Sequence, residues 1–168
     1  MIAQRRVVVA DRDGVALAEP APGDAAVLAA GGPAPFEVDP DGRPLPYQPP
    51  LGSLVVLADG RLVGDVGWIP VFNGPTYACM AWSIGIDLLP TVRGRGIGSR
   101  AQRLLVEHLF ATTDVDRVQA TTDVDNIAEQ RALERAGFRR EGVLRGAQLR
   151  GGVRRDILLY GVLRTDLP

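Results

Sequence analysis

The sequence predicts an α+β fold, a mixed and mostly antiparallel sheet flanked by helices. Three observations predict it. Strand-like segments in the first half are joined at Asp59-Gly60 and Asn73-Gly74, dipeptides that favour hairpins between antiparallel neighbours. A glycine-rich run, Arg93-Gly94-Arg95-Gly96-Ile97-Gly98, then separates a long strand from a helical pattern. Beyond it follow one more strand, a second helix and two closing strands.

The elements come in order. Val7 to Ala10 and Val15 to Glu19 flank the turn Asp11-Arg12-Asp13-Gly14 and read as a hairpin. Pro22-Gly23-Asp24 opens a short helix, with a proline and an acid in its first turn. Residues 31 to 50 hold seven prolines and three glycines, which excludes regular structure and suggests a lid or an acceptor-side loop. Strands are expected at Ser53–Ala58, at Arg61–Phe72 with Pro70 marking a bulge or an end, and at Thr76–Leu89. These three form a meander. A helix runs from Ser99 to about Ala111 on Ala101, Leu104, Leu105 and Leu109, with His108 on the same face. Arg117–Thr122 is a strand. A second helix runs from Asn126 to a left-handed cap at Gly137, with Phe138 packing back. Val143 to Arg164 folds as two strands about Arg150-Gly151-Gly152.

Bulk properties narrow the function. The 168 residues suit one domain, 1–168. A net charge of −1 gives no global attraction to nucleic acid or to an anionic membrane. The chain has no lysine, so lysine-based chemistry is excluded. With one cysteine, Cys79, there is no intrachain disulfide, and with one histidine and no clustered ligands no metal site is expected. The N-terminus carries no signal-peptide pattern and no apolar run is long enough to span a membrane, so a cytoplasmic protein is expected.

The glycine run carries the chemistry. A helix N-terminus offers unpaired N–H groups and partial positive charge, and glycines let the backbone close on a phosphate. Arg93 and Arg95 add charge-assisted bonds suited to a pyrophosphate. The spacing is not that of a dinucleotide fingerprint, and a P-loop ending is absent. A tight strand-to-helix turn with two solvated arginines would satisfy the same residues.

From about Leu62 to Asp166 the chain resembles the GNAT N-acetyltransferases, and among them the ribosomal-protein N-terminal acetyltransferase-like (RimJ/RimL-type) group. Arg93-x-x-Gly96-x-Gly98 matches the family's pyrophosphate loop, and Ile84 to Pro90 looks like the strand leading into it. Asp125-Asn126-Ile127-Ala128 with Arg131 to Phe138 resembles the second-helix motif, and Glu141 to Arg145 with Gly151 and Arg155-Asp156 resembles the subgroup's ending. The resemblance implies a central sheet that splays at the strand ending near Pro90, with acetyl-CoA or another acyl-CoA in the gap. It implies that Ile86 and Leu88 bond the pantetheine arm, that Arg93, Gly94, Arg95, Gly96, Ile97, Gly98 and Ser99 hold the pyrophosphate, and that Asn126 flanks the arm. The Leu88 N–H would polarise the thioester carbonyl. The reaction it implies is direct attack by an uncharged amine of a small molecule or a protein N-terminus.

That amine must lose a proton, and Asp87, Ser83, Asp65 and Glu129 are the candidates to take it. Glu129 departs from the serine usual in the subgroup, and Asn126 with Glu129 also fits a capping box. His108 and Cys79 read as packed residues, and Tyr160 as a core tyrosine or a late acid. Trp82 or Tyr77 could line an acceptor pocket, although cross-strand packing explains both. The arginines after the second helix read as a solvated face; tRNA as donor, or a non-catalytic acyl-CoA sensor, are the alternatives. A monomer or homodimer is expected.

Overall fold

A computed structural model describes residues 6–32, 35–41, 43 and 51–167. Residues 33, 34, 42 and 44–50 of the proline-rich stretch lie outside them. Eight strands form one sheet in the order β1-β2-β3-β4-β5-β6-β8-β7. The strands are β1 (Val8–Arg12), β2 (Val15–Ala18), β3 (Gly52–Ala58), β4 (Arg61–Phe72), β5 (Met80–Leu88), β6 (Arg117–Asp123), β7 (Arg139–Arg150) and β8 (Val153–Leu163). The helices are α1 (Asp24–Ala29), α2 (Ile97–Thr112) and α3 (Ile127–Ala136). Every neighbouring pair is antiparallel except β5–β6, which is parallel and bridged by α2.

Local chemistry accounts for the hairpins. Asp13-Gly14 and Asp59-Gly60 both take positive φ at both positions, the left-handed pair that a right-twisted two-residue turn requires. The Asn73-Gly74 expectation is corrected. Residues 73–76 bend, Tyr77–Cys79 form a 3₁₀ turn, and the Asn73 N–H reaches Cys79 at 2.9 Å, so β5 starts at Met80 rather than Thr76. Pro70 neither ends nor bulges β4: it pairs with Trp82 in regular register. β3 stops opposite Trp68, so the missing proline N–H costs no ladder bond there. Cys79 is half-buried rather than a core thiol.

Strand parity sorts the side chains. Trp82, Ile84, Ile86 and Leu88 of β5 face the same side as Val66 of β4 and Val118 and Ala120 of β6. On that side α2 packs Ala101, Leu104, Leu105 and Leu109, and α3 packs Leu133 and Ala136, all in one core. The helix periodicity read from the sequence is therefore the core face. α3 ends as expected: Gly137 has φ 100°, and Phe138 N–H bonds Leu133 C=O at 3.0 Å in a Schellman closure. Leu105 is fully buried where α2 meets the sheet. Leu105→Ala is expected to cost about 2–5 kcal/mol in urea denaturation with acetyl-CoA absent.

Candidate active site

The pairing of β5 with β6 covers only Trp82↔Val118, Ser83↔Gln119 and Ile84↔Ala120. β5 nevertheless continues to Leu88 on β4, and β6 to Asp123 on β8. The two strands thus part after Ile84. The Leu89 N–H bonds Val63 C=O at 2.9 Å, so alternation turns the N–H and C=O of Leu88 and of Ile86 away from β4 and into the gap. The Leu88 carbonyl there accepts Arg93 Nε at 2.8 Å.

The glycine run opens at the end of this gap. Gly94 and Gly96 have φ of 76° and 73°, and Gly96 is the N-cap of α2. No side chain caps α2, its first turn has no acid, and Ser99 Oγ donates back to Gly96 C=O instead of accepting. The first amides of α2 are therefore free for an anion. Gly98 has no positive φ. A Cβ there would point at Leu88 Cδ1 (3.6 Å) and Gln102 Nε2 (4.0 Å), into the gap, so glycine keeps the passage open. These features fit a pyrophosphate followed by a slender arm.

Gap and loop belong to one cleft of about 1300 Å³. Among the sequence candidates it brings together Ile86, Asp87, Leu88, Arg93, Gly94, Gly96, Gly98, Ser99, Asn126 and Glu129, with Asp65 as well. Ser83, Arg95 and Ile97 do not line it. Ser83 lies in the paired part of β5, and the Ile97 side chain is in the core, leaving only its backbone for a ligand. Trp82 donates to Thr113 Oγ1 at 3.2 Å on the helix face, and Tyr77 is exposed, so neither lines the cleft. His108 is also outside it. Tyr160 is buried in the core, with its hydroxyl 3.4 Å from Glu134.

The sheet face opposite the helices supplies a second set of groups. Asp65 and Asp87 are direct cross-strand partners there, and Gly67 and Gly85 are the next pair along. Like charges directly opposed are unfavourable, and burial, then Asp87, holds the Asp65 carboxyl above the usual carboxylate range. A Cβ at Gly85 would meet nothing within 4 Å, so a bare floor lies beside the acids. The wall is Phe36 to Val38. It is hooked to the β7–β8 turn: Asp39 Oδ1 and Oδ2 accept the Gly151 and Gly152 N–H groups at 2.6 and 2.8 Å, and the Asp39 N–H bonds Leu149 C=O at 2.9 Å. Arg150 lies over the Phe36 ring and pairs with buried Asp123. Nothing in the local sequence of a proline-rich segment signals that long-range hook.

Glu129 sits on the helix side. Asn126 Oδ1 accepts the Glu129 N–H at 3.2 Å, but the Asn126 N–H bonds Asp123 C=O, so only half of the expected capping box forms. The Glu129 carboxyl faces the cleft, and burial pushes it up to about 7, with Gln102 pulling slightly the other way. The sequence reading missed Gln102. It is 1% exposed, lines the cleft, and its Nε2 has no hydrogen-bond partner among the described residues. No group of three or more metal-ligating side chains occurs among the described residues, and no described helix is long and apolar enough to cross a membrane.

A splayed parallel pair ending in an anion-binding helix start defines a protein built to hold a phosphate-bearing arm between two strands. The sequence profile of the acetyltransferase (GNAT) domain matches residues 43–139, and the chain belongs to that family. The chain is 32% identical over 114 residues to the probable N-acetyltransferase YjcK of Bacillus subtilis, covering 68% of this chain and 61% of YjcK. It thus spans about three fifths of that relative's length. A kanamycin resistance protein of Rhizobium radiobacter is 37% identical over 51 residues, 30% of this chain and 47% of that protein. Mycobacterium smegmatis RimJ in complex with CoA-disulfide superposes with a TM-score of 0.72 at 21% identity, over 97% of this chain and 87% of RimJ. The microcin C7 self-immunity acetyltransferase MccE, in complex with acetyl-CoA and AMP, gives 0.57 at 26% identity, over 67% and 61%.

Two outcomes follow. With the folded Glu129 near 7 and the ordinary value at 4.5, the native state binds its proton more tightly. That contribution is complete below about pH 4.5 and is lost as pH rises through 7. Glu129→Gln is therefore expected to gain about 2 kcal/mol on the wild type between pH 5 and pH 8 in urea melts. Asp39→Ala is expected to speed cleavage after Glu37 by a glutamyl endopeptidase several-fold, because the wall loses both side-chain anchors.

Proposed function

We propose that this chain is an acetyl-CoA-dependent N-acetyltransferase that moves acetyl to a primary amine of a small molecule or a protein N-terminus by direct attack. The observation that carries the reading is the parting of β5 and β6 after Ile84, directly before an uncapped α2. When bound, acetyl-CoA supplies an activated acyl group; the residues below act on it.

The first amides of α2, from Gly98 and Ser99, with Gly94, Gly96 and the Arg93 guanidinium, hold the pyrophosphate, and Arg95 and Ile97 contribute backbone and charge at the rim. The gap-facing backbone of Ile86 and Leu88 receives the amides of the pantetheine arm as an added strand would. Asn126 flanks that arm. The Leu88 N–H donates to the thioester oxygen, where negative charge develops. The amine enters over the Gly67–Gly85 floor and gives its proton to Asp87 or Asp65 on the same face. A carboxyl held above its usual range, as at Asp65, is a better proton acceptor than an ordinary aspartate.

The acceptor side favours a small amine. The Phe36–Val38 wall narrows the cleft beside Gly85, and the relatives span both classes of printed name: a kanamycin resistance protein, and RimL, a ribosomal L7/L12 α-N-protein acetyltransferase. A tRNA-borne donor finds little support, because strand parity places Arg139 and Arg155 on the opposite face from Arg140 and Arg154.

Calorimetric titration with acetyl-CoA tests the reading. The wild type is expected to bind, and Gly98→Trp, which fills the space between Leu88 and Gln102, to lose at least about tenfold in affinity. An unchanged heat signature in the variant, or no binding by the wild type, would sink it.

A further inference from the structure

We propose that Gln102 is a positioning residue: its buried side-chain amide holds the Glu129 carboxyl beside the sulfur of the acyl donor, where that carboxyl protonates the departing thiolate. The inference rests on the acyltransferase reading above and adds to it the other half of the proton traffic.

The first observation is an unexplained donor. A buried N–H without a partner costs about 1–3 kcal/mol, yet Gln102 Nε2 is kept in that state one helical turn beyond Gly98. It lies 4.0 Å from where a Gly98 Cβ would be, beside Leu88, at the place where the cofactor loop meets the gap. Its neighbour is the Glu129 carboxyl, which the Gln102 amide already pulls toward its charged form although no hydrogen bond of good geometry closes between them. A donor and a carboxyl poised on one wall are completed when the cleft is filled.

The second observation is which wall it is. α2 and α3 pack on the face of Ile84, Ile86 and Leu88, whereas Asp65 and Asp87 are on the other. An amine arriving over Asp87 leaves the sulfur directed toward the helices. Glu129 is therefore placed for the leaving group and Asp87 for the nucleophile. The nitrogen lone pair forms the C–N bond, and the C–S bond breaks with its electron pair on sulfur. The proton of the Glu129 carboxyl moves to that sulfur, and the nitrogen proton goes to Asp87 or water. Gln102 Nε2 then donates to the carboxylate left behind, which solvent reprotonates.

Burial holds the Glu129 carboxyl up at about 7, and no charged group is among the causes. Of the charged groups around it, Arg131 and Arg135 on α3, Arg93 on the loop and Glu37 on the wall line the cleft. Asp123 at the end of β6 is paired with Arg150, Arg103 on α2 with Glu107, and Asp65 and Asp87 lie across the sheet.

The test is ¹³C NMR of protein labelled at the glutamate carboxyls, titrated free and with coenzyme A bound, in wild type, Gln102→Leu and Gln102→Met; Glu129→Gln assigns the signal. A midpoint near 7 is expected for the wild type, displaced when coenzyme A brings its thiol alongside. Both Gln102 variants are expected to raise the midpoint, free and with coenzyme A bound, because the carboxylate loses the amide that favours its charged form. A midpoint that ignores Gln102, or a carboxyl signal that ignores bound coenzyme A, overturns the proposal. Failure of the wild type to bind acetyl-CoA overturns the acyltransferase reading instead. If Gln102→Leu does not fold, Gln102→Met carries the comparison.

Discussion

Backbone amides inside a protein must be paired, and β5 leaves its pairing with β6 four residues before it ends. Neither strand is loose. β4 holds β5 as far as Leu88, and β8 holds β6 as far as Asp123. Each lip is also fixed by a side chain: Arg93 Nε on the Leu88 carbonyl, and Arg150 on Asp123. The gap is therefore an opening held on both sides, whose gap-facing backbone groups have no neighbouring strand to pair with. The cleft, its floor and its wall are arranged around that requirement.

The two helices that start at this opening are finished differently. α3 is capped by Asn126, whose Oδ1 takes the Glu129 N–H from within the chain. α2 has no such cap. At α2 the compensation has to come from outside, as negative charge on a ligand. The contrast explains why an arginine-flanked glycine loop precedes α2 while a plain turn precedes α3.

Much of this was legible in the sequence, for local reasons. Asp59-Gly60 fixes its own turn through φ, Gly137 fixes the end of α3, and the spacing of Leu104, Leu105 and Leu109 fixes the buried side of α2. Reading failed where local signals were outvoted by distant ones. Asn73-Gly74 is a good hairpin dipeptide, but the Asn73 N–H finds Cys79, and the connection widens. Pro70 reads as a strand breaker, yet the neighbour it would disrupt has already ended. Gln102 is a polar residue set into an apolar helix pattern, and only the packed cleft shows that its amide is left without a partner. The half-made cap at Glu129 has the same origin: its amide obeys the capping pattern, while its carboxyl answers to the cavity.

Strand parity also puts the acids of the cleft on different faces of the sheet. A β-strand sends adjacent side chains to opposite faces, so Asp87 and Leu88 cannot look the same way although they are neighbours. With the Leu88 backbone in the gap, Asp87 is committed to the open face and the helices to the other. Two carboxyl groups on one wall would share one environment. The sheet lies between them, and their environments diverge accordingly: Asp87 is exposed beside Arg93, while Glu129 is desolvated beside an uncharged amide. A single thickness of sheet thus gives two carboxyl groups of one cleft different surroundings, one open to solvent beside a guanidinium and one held above its usual range by burial.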